Sequence, residues 1–333
     1  MWRQDHNSQH VNHNSLVDLS HATMVLQKAA EWSERLGIDV TKRPRWAAVL
    51  AGLSDLPTTS DGRSLSHGPA GVPLSNSTGA RRVWSESSYV NSKKMLAVAP
   101  FATNYEYPIV HFAAIHPCGL LGLHSNTLGG PAEQEELLDT AINTVWGDND
   151  RTSWHPINGL CLSWPAATRV TNGSAPGRGR ALLDRYESAL SETMHRNFWP
   201  DMGGGGLEQA GAAVAVDELL LQSHEGFLVL FPAWERGDSA ASFTTLRARG
   251  AFLVSAAIDA SGEVLPGVEI HSEAGAVCNI VAPWSAVGSG RSRLLVKSAG
   301  VAVAVKPGAT VKGGSRVFSF ETRSGETYRL SAG

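Results

Sequence analysis

The sequence predicts an α+β protein, in which a helical part over residues 1–225 precedes an antiparallel β domain over 226–333. Two observations carry that prediction. Up to about His224 apolar residues recur at helical spacing over successive stretches, and from Gly226 the spacing falls to two, the period of half-buried strands. No internal repeat at a fixed period breaks either part.

The first helix is expected from Leu16 to about Gly37. Leu16, Leu19, Leu26, Ala29, Ala30 and Leu36 share its apolar spacing, and Gly37 supplies the stop. A second follows from about Lys42 to Leu53, with Pro44 near its first turn, where a missing N–H costs nothing. Residues 54–104 are rich in Gly, Ser, Pro and Asn and lack periodicity, which predicts a long excursion holding one short strand at Met95–Ala99. Helices resume at about Pro108–Leu121, Glu133–Val145, His155–Val170, Arg178–Phe198 and Leu207–His224.

Beyond Gly226, "AFLVSAAID" alternates Phe252, Val254, Ala256 and Ile258 against Leu253, Ser255 and Ala257. "GVEIHSE" sets Val268 and Ile270 against Glu269 and His271 in the same way. Further strands are expected at "AVCNIVAP", "RLLVKSA", "VAVAV", "SRVFSFET" and "TYRLSA", with turns at "DASG", "KPGA" and "KGGS". Such a domain is most simply an antiparallel β-sandwich.

Composition narrows the function. The 333 residues are 42% hydrophobic and 18% charged with a formal net charge of −3. That supports a sizeable core and offers no cationic excess, so nucleic acid is not an expected partner. No stretch approaches the length of a membrane span, and the polar start lacks the apolar segment of a signal peptide. Cys118, Cys161 and Cys278 lie far apart without CxxC or Cys/His spacing and read as small buried side chains; neither a disulfide framework, a metal site nor a cofactor is expected. The start "HNSQHVNHNS" reads as a flexible polar terminus or a pocket loop, because its histidines are irregularly spaced.

One passage asks for chemistry. "MGGGGLEQAG" delivers Glu208 and Gln209 at a helix start through a glycine turn. Glycines admit positive φ and close approach of a bulky ligand, while a helix N-terminus favours an anion. A carboxylate there suits a base or water-orienting role better than an acid role. The bland alternative is an acidic residue that merely caps the first turn.

The stretch "VDELLLQSHEGFLVLFPAW" followed by "TLRARGAFLVSA" resembles the end of the catalytic barrel and the start of the C-terminal β domain in glycoside hydrolase family 95 and its relatives, enzymes of the six-hairpin (α/α)6 superfamily. The resemblance rests on Glu218, Leu220–His224, Leu230, Pro232, Ala233, Leu246–Gly250 and Phe252. Upstream, Leu36, Gly37, Asp39, Arg45, Trp46, Leu50, Leu53 and Pro57 are similar to a helix pair that family members carry. The resemblance implies a partial six-hairpin toroid ahead of the β-sandwich, and inverting hydrolysis of α-L-fucosides or a related oligosaccharide or polysaccharide.

It also implies a site. Glu208 and Gln209 fall where family members carry an acidic residue and an asparagine, although the Asp-Gly-Asn-type pattern is not reproduced. His111 and His116 in "YPIVHFAAIHPCGLLGLHS" sit where the family brings histidines to the pocket, and Trp154 and His155 in "TSWHPINGL" are candidates to face the sugar. The family's general acid lies in a Ser-Pro-Glu-type segment before the first helix, where this chain has "MWRQDHNSQHVNHNS"; Glu106 in "NYEYP" is the best alternative acid. Twelve barrel helices need roughly 300 residues, and about seven are legible here. The chain therefore reads as the C-terminal portion of a longer glycosidase, or as a degenerate homologue that binds carbohydrate without cleaving it. A helical domain fused to a sandwich as a protein-interaction module is the reading that sets the resemblance aside.

Overall fold

A computed structural model describes residues 11–13, 16–56, 58–61, 81–84, 88–90, 96–98, 112–124, 128, 134–147, 159–171, 178–193, 195, 206–234, 239–284, 287, 293–311 and 315–333. The chain is α+β, and its sheets are antiparallel. By packing it divides into two compact units, Met1–Leu121 with Asn126–Ala167 and Met202–Glu208, and Gly122–Ser125 with Thr168–Asp201 and Gln209–Gly333.

The first unit opens with β1 (Val11–His13), α1 (Leu16–Leu36), a 3₁₀ turn at Val40–Lys42 and α2 (Arg43–Ala51). α1 stops where the sequence predicts. Gly37 takes a φ of +66°, its N–H bonds to the Glu34 carbonyl, and the Ile38 N–H bonds to the Ser33 carbonyl, which closes the helix in a Schellman motif. Arg43 then fixes the corner between the two helices. Its Nε donates to Ser33 Oγ at 2.8 Å and its Nη2 to the Ser33 carbonyl at 2.6 Å.

The excursion after α2 holds more strand than its sequence reveals: β2 (Thr58–Asp61), β3 (Arg81–Trp84), β4 (Ser88–Val90) and β5 (Leu96–Val98). Only β5 was expected. β2 pairs with β3, and β1, β4 and β5 form a second sheet in the order β1–β4–β5. Val11–His13, within the start read as a flexible polar terminus or a pocket loop, is thus a paired strand facing Val90, Tyr89 and Ser88; the rest of that start lies outside the described residues. Three- and four-residue strands show too few alternations to register as period two, and their pairing supplies what local propensity does not.

A second correction concerns the helix expected at Pro108–Leu121. Its described part, from Phe112 onward, runs through successive turns. The Ile115 and His116 N–H groups both reach the Phe112 carbonyl, but Cys118 bonds back to Ala113 and Leu120 to Ala114, spans longer than a helix makes. Pro117 has no N–H to continue the ladder and restricts His116 before it.

The remaining helices are α3 (Gln134–Gly147), α4 (Gly159–Arg169), α5 (Arg178–Thr193) and α6 (Gly206–Leu220). α3 packs against β3. α6 ends short of the predicted His224 because Leu221–Gln222 becomes β6 and pairs with β7 (Val229–Leu230).

In the second unit come β8 (Ala241–Ala248), β9 (Phe252–Ile258), β10 (Val268–Ser272), β11 (Cys278–Val281), β12 (Leu294–Ser298), β13 (Val301–Val303), β14 (Lys306–Thr310), β15 (Arg316–Phe320) and β16 (Thr327–Ala332). One sheet has the order β13–β12–β16–β10–β9–β8 and the other β11–β15–β14. Their inward residues form one core: Phe252, Val254, Ile258, Val268 and Ile270 from the larger sheet are buried with Cys278, Ile280, Phe318 and Phe320 from the smaller. Trp284 joins it through a hydrogen bond from Nε1 to the Val264 carbonyl at 2.8 Å. The alternation read from "AFLVSAAID" and "GVEIHSE" is the alternation of burial. "DASG" is a turn, held by the Asp259 carboxylate accepting from the Ser261 N–H and hydroxyl and the Glu263 N–H. "KPGA", expected as a turn, lies instead within β14, where a register shift after Pro307 accommodates it.

Burial sets an alkaline limit to stability. The Cys278 thiol is pushed up to about 12 by burial, and the Tyr186 hydroxyl to about 12 by burial and then by the charge of Asp217. Both groups keep their protons in the folded chain at pH values where the unfolded chain releases them. Stability is therefore full below about pH 8 and falls as pH rises through roughly 9 to 12. Replacing both, Tyr186→Phe with Cys278→Ala, flattens that limb of a pH titration of the urea midpoint.

Candidate functional site

The second unit gathers its polar chemistry at the end of α6. The last turn of that helix carries Asp217 and Glu218 and no basic residue. Two acids there oppose the negative end of the helix dipole. Arg169, the last residue of α4, compensates: its Nη2 donates to Glu218 Oε1 at 2.5 Å, with side-chain exposures of 7% and 13%. The other Glu218 oxygen is buried and has no hydrogen-bond partner among the described residues. Burial and then the neighbouring Glu218 charge raise the Asp217 carboxyl above its ordinary range. Asp217 in turn holds up the buried Tyr186 hydroxyl.

From α6 the chain passes directly into "QSHEG". Gln222 Nε2 donates to the Glu218 carbonyl at 3.2 Å. Ser223 Oγ accepts from the Arg249 N–H at 3.0 Å, and Arg249 Nη1 donates to the His224 carbonyl at 3.1 Å. Arg249 can do both because it leads the β8–β9 turn, where Gly250 and Ala251 both take positive φ, +89° and +58°. A side chain on Gly250 would be strained by that φ and would meet the Phe252 ring at 2.7 Å.

Glu225 closes the group. Its Oε1 accepts the His124 N–H at 2.8 Å, and the His124 ring lies 5.9 Å from that of Phe227. Gly122 is buried against this carboxylate and the buried His224: a Cβ there would stand 2.5 Å from Glu225 Oε1 and 2.8 Å from His224 Nε2. Replacement Gly122→Ala is expected to push the carboxylate off the His124 N–H and to cost about 1.5–3 kcal/mol, the range for a hydrogen bond to a charged group. Hydrogen exchange at the His124 amide, faster in the variant, reads the lost bond directly.

No protein-family model matches the chain, and no curated protein does.

Of the residues predicted from sequence, Glu106, His111, Trp154 and His155 lie outside the described residues. Glu208 and Gln209 fall in the first turn of α6, and their side chains lie outside what is described. His116 is half-buried in the turns of the first unit, its N–H bonded to Phe112. Among the described residues no three His, Cys, Asp or Glu side chains gather as a metal site, and no helix is long and apolar enough to cross a membrane. Cys118 and Cys278 are both buried.

Sequence reading missed Arg169, Asp217, Tyr186, Gly122 and His124. Arg169 meets Glu218 across 49 positions and His124 meets Glu225 across 101. No sequence signal marked these pairings: the helix was expected to run on to His224, and only its end at Leu220 puts Asp217 and Glu218 in the last turn, where the dipole calls for a cation.

Proposed function

We propose that the chain is a glycoside hydrolase of the six-hairpin type, in which a partial (α/α)6 toroid precedes an antiparallel β-sandwich, acting by inversion on α-L-fucosides or a related oligosaccharide or polysaccharide. The observation that carries this reading is that the two stretches of family resemblance form one bonded unit. Glu218–His224 and Leu246–Phe252 are tied by the bonds of Arg249 to Ser223 and to the His224 carbonyl.

On this reading Glu208 takes the proton of the attacking water and Glu106 gives a proton to the departing glycosidic oxygen, with the two carboxyl groups about 6.5–9.5 Å apart. Gln209, His111, His116, Trp154 and His155 hold the sugar. Water is the only co-reactant, so no cofactor or metal is called for.

The test is hydrolysis of a panel of aryl glycosides and oligosaccharides, α-L-fucosides and α-galactosides first, by the purified chain and by Glu208→Gln. The expected result is turnover that falls about 10²-fold or more in the variant. Oligosaccharide binding by calorimetry without turnover identifies a non-catalytic carbohydrate-binding relative instead, and the absence of both turnover and binding overturns the proposal.

A further inference from the structure

We draw no further inference here: the strongest candidate, the apolar surface patch that Val25, Trp32, Leu36, Ile38, Val40 and Val49 expose along α1, the 3₁₀ turn and α2 of the first unit, carries nothing, because nothing in the structure shows what covers it.

Discussion

Replacing Glu218 with alanine is expected to lower the unfolding free energy by about 3–5 kcal/mol, the range for removing one member of a buried ion pair. Arg169 is 7% exposed in its side chain, so water cannot take over the role of the carboxylate that stands 2.5 Å from Nη2. The loss is expected to change little with added salt, since buried pairs are poorly screened. Two controls separate the pair from its surroundings. Glu218→Gln keeps the shape and the acceptor but not the charge, and should recover part of the loss. Removing both charges, Arg169→Met with Glu218→Leu, should recover most of it, because an apolar pair of similar volume is often as stable as a buried ion pair. Urea unfolding of the four chains measures this, and a Glu218→Ala chain within 1 kcal/mol of wild type would show that the pair is not a buried one in solution.

Phe320→Ala is expected to cost about as much, 3–5 kcal/mol, for an unrelated reason. Phe320 is buried between the two sheets, its ring 5.5 Å from that of Tyr328. Truncation leaves a cavity in a core that draws on both sheets and cannot close by moving one side chain. Phe320→Leu should recover more than half. A second readout distinguishes this substitution from general loosening. Tyr328 accepts the Arg323 N–H at 2.7 Å and donates to Glu326 Oε2 at 2.9 Å, and that hydrogen bond is the first cause of the lowered Glu326 carboxyl. A lowered carboxyl contributes stability above its unfolded value and loses it as pH falls through the folded value. If the cavity frees Tyr328, Glu326 returns toward its ordinary range, and the acid limb of stability against pH becomes shallower in the variant. Glu273, lowered first by its hydrogen bond from Arg247, keeps its share and serves as the internal reference.

The two substitutions probe different kinds of information in the chain. Phe320 stands in "SRVFSFET", a stretch expected as a strand from its alternation alone. Period two places every second residue on the same face of a strand, so the burial of Phe318 and Phe320 follows from spacing, as does that of Phe252, Val254 and Ile258 in β9. The end of α1 was legible for the same reason. Gly37 accepts a positive φ at no steric cost, and the Schellman closure is local to six residues.

Glu218 was legible only as a member of a recognisable run. Its partner was not, because nothing in "ATRV" distinguishes Arg169 from a solvated helix-end cation; the pairing exists only once α4 and α6 have brought their C-terminal ends together. Gly122 is a similar case. Among 34 glycines its spacing has no mark, and the need for it comes from the Glu225 carboxylate and His224 arriving from a hundred positions away. β1, β2, β3 and β4 were missed for the complementary reason, that pairing between distant three- and four-residue segments makes them strands.

The sequence by itself determined the α+β class, the switch from helical to alternating spacing near residue 225, most of the helix bodies and the inward faces of the β unit, since those depend on periodicity and on local turn chemistry. Only the tertiary structure decided the strand order, the short sheets of the first unit, the turns in place of a helix around Pro117, and the bonded group of Arg169, Glu218, His124, Glu225 and Arg249. Those features rest on contacts between segments far apart in the chain, and neither spacing nor propensity encodes which distant segment a residue will meet.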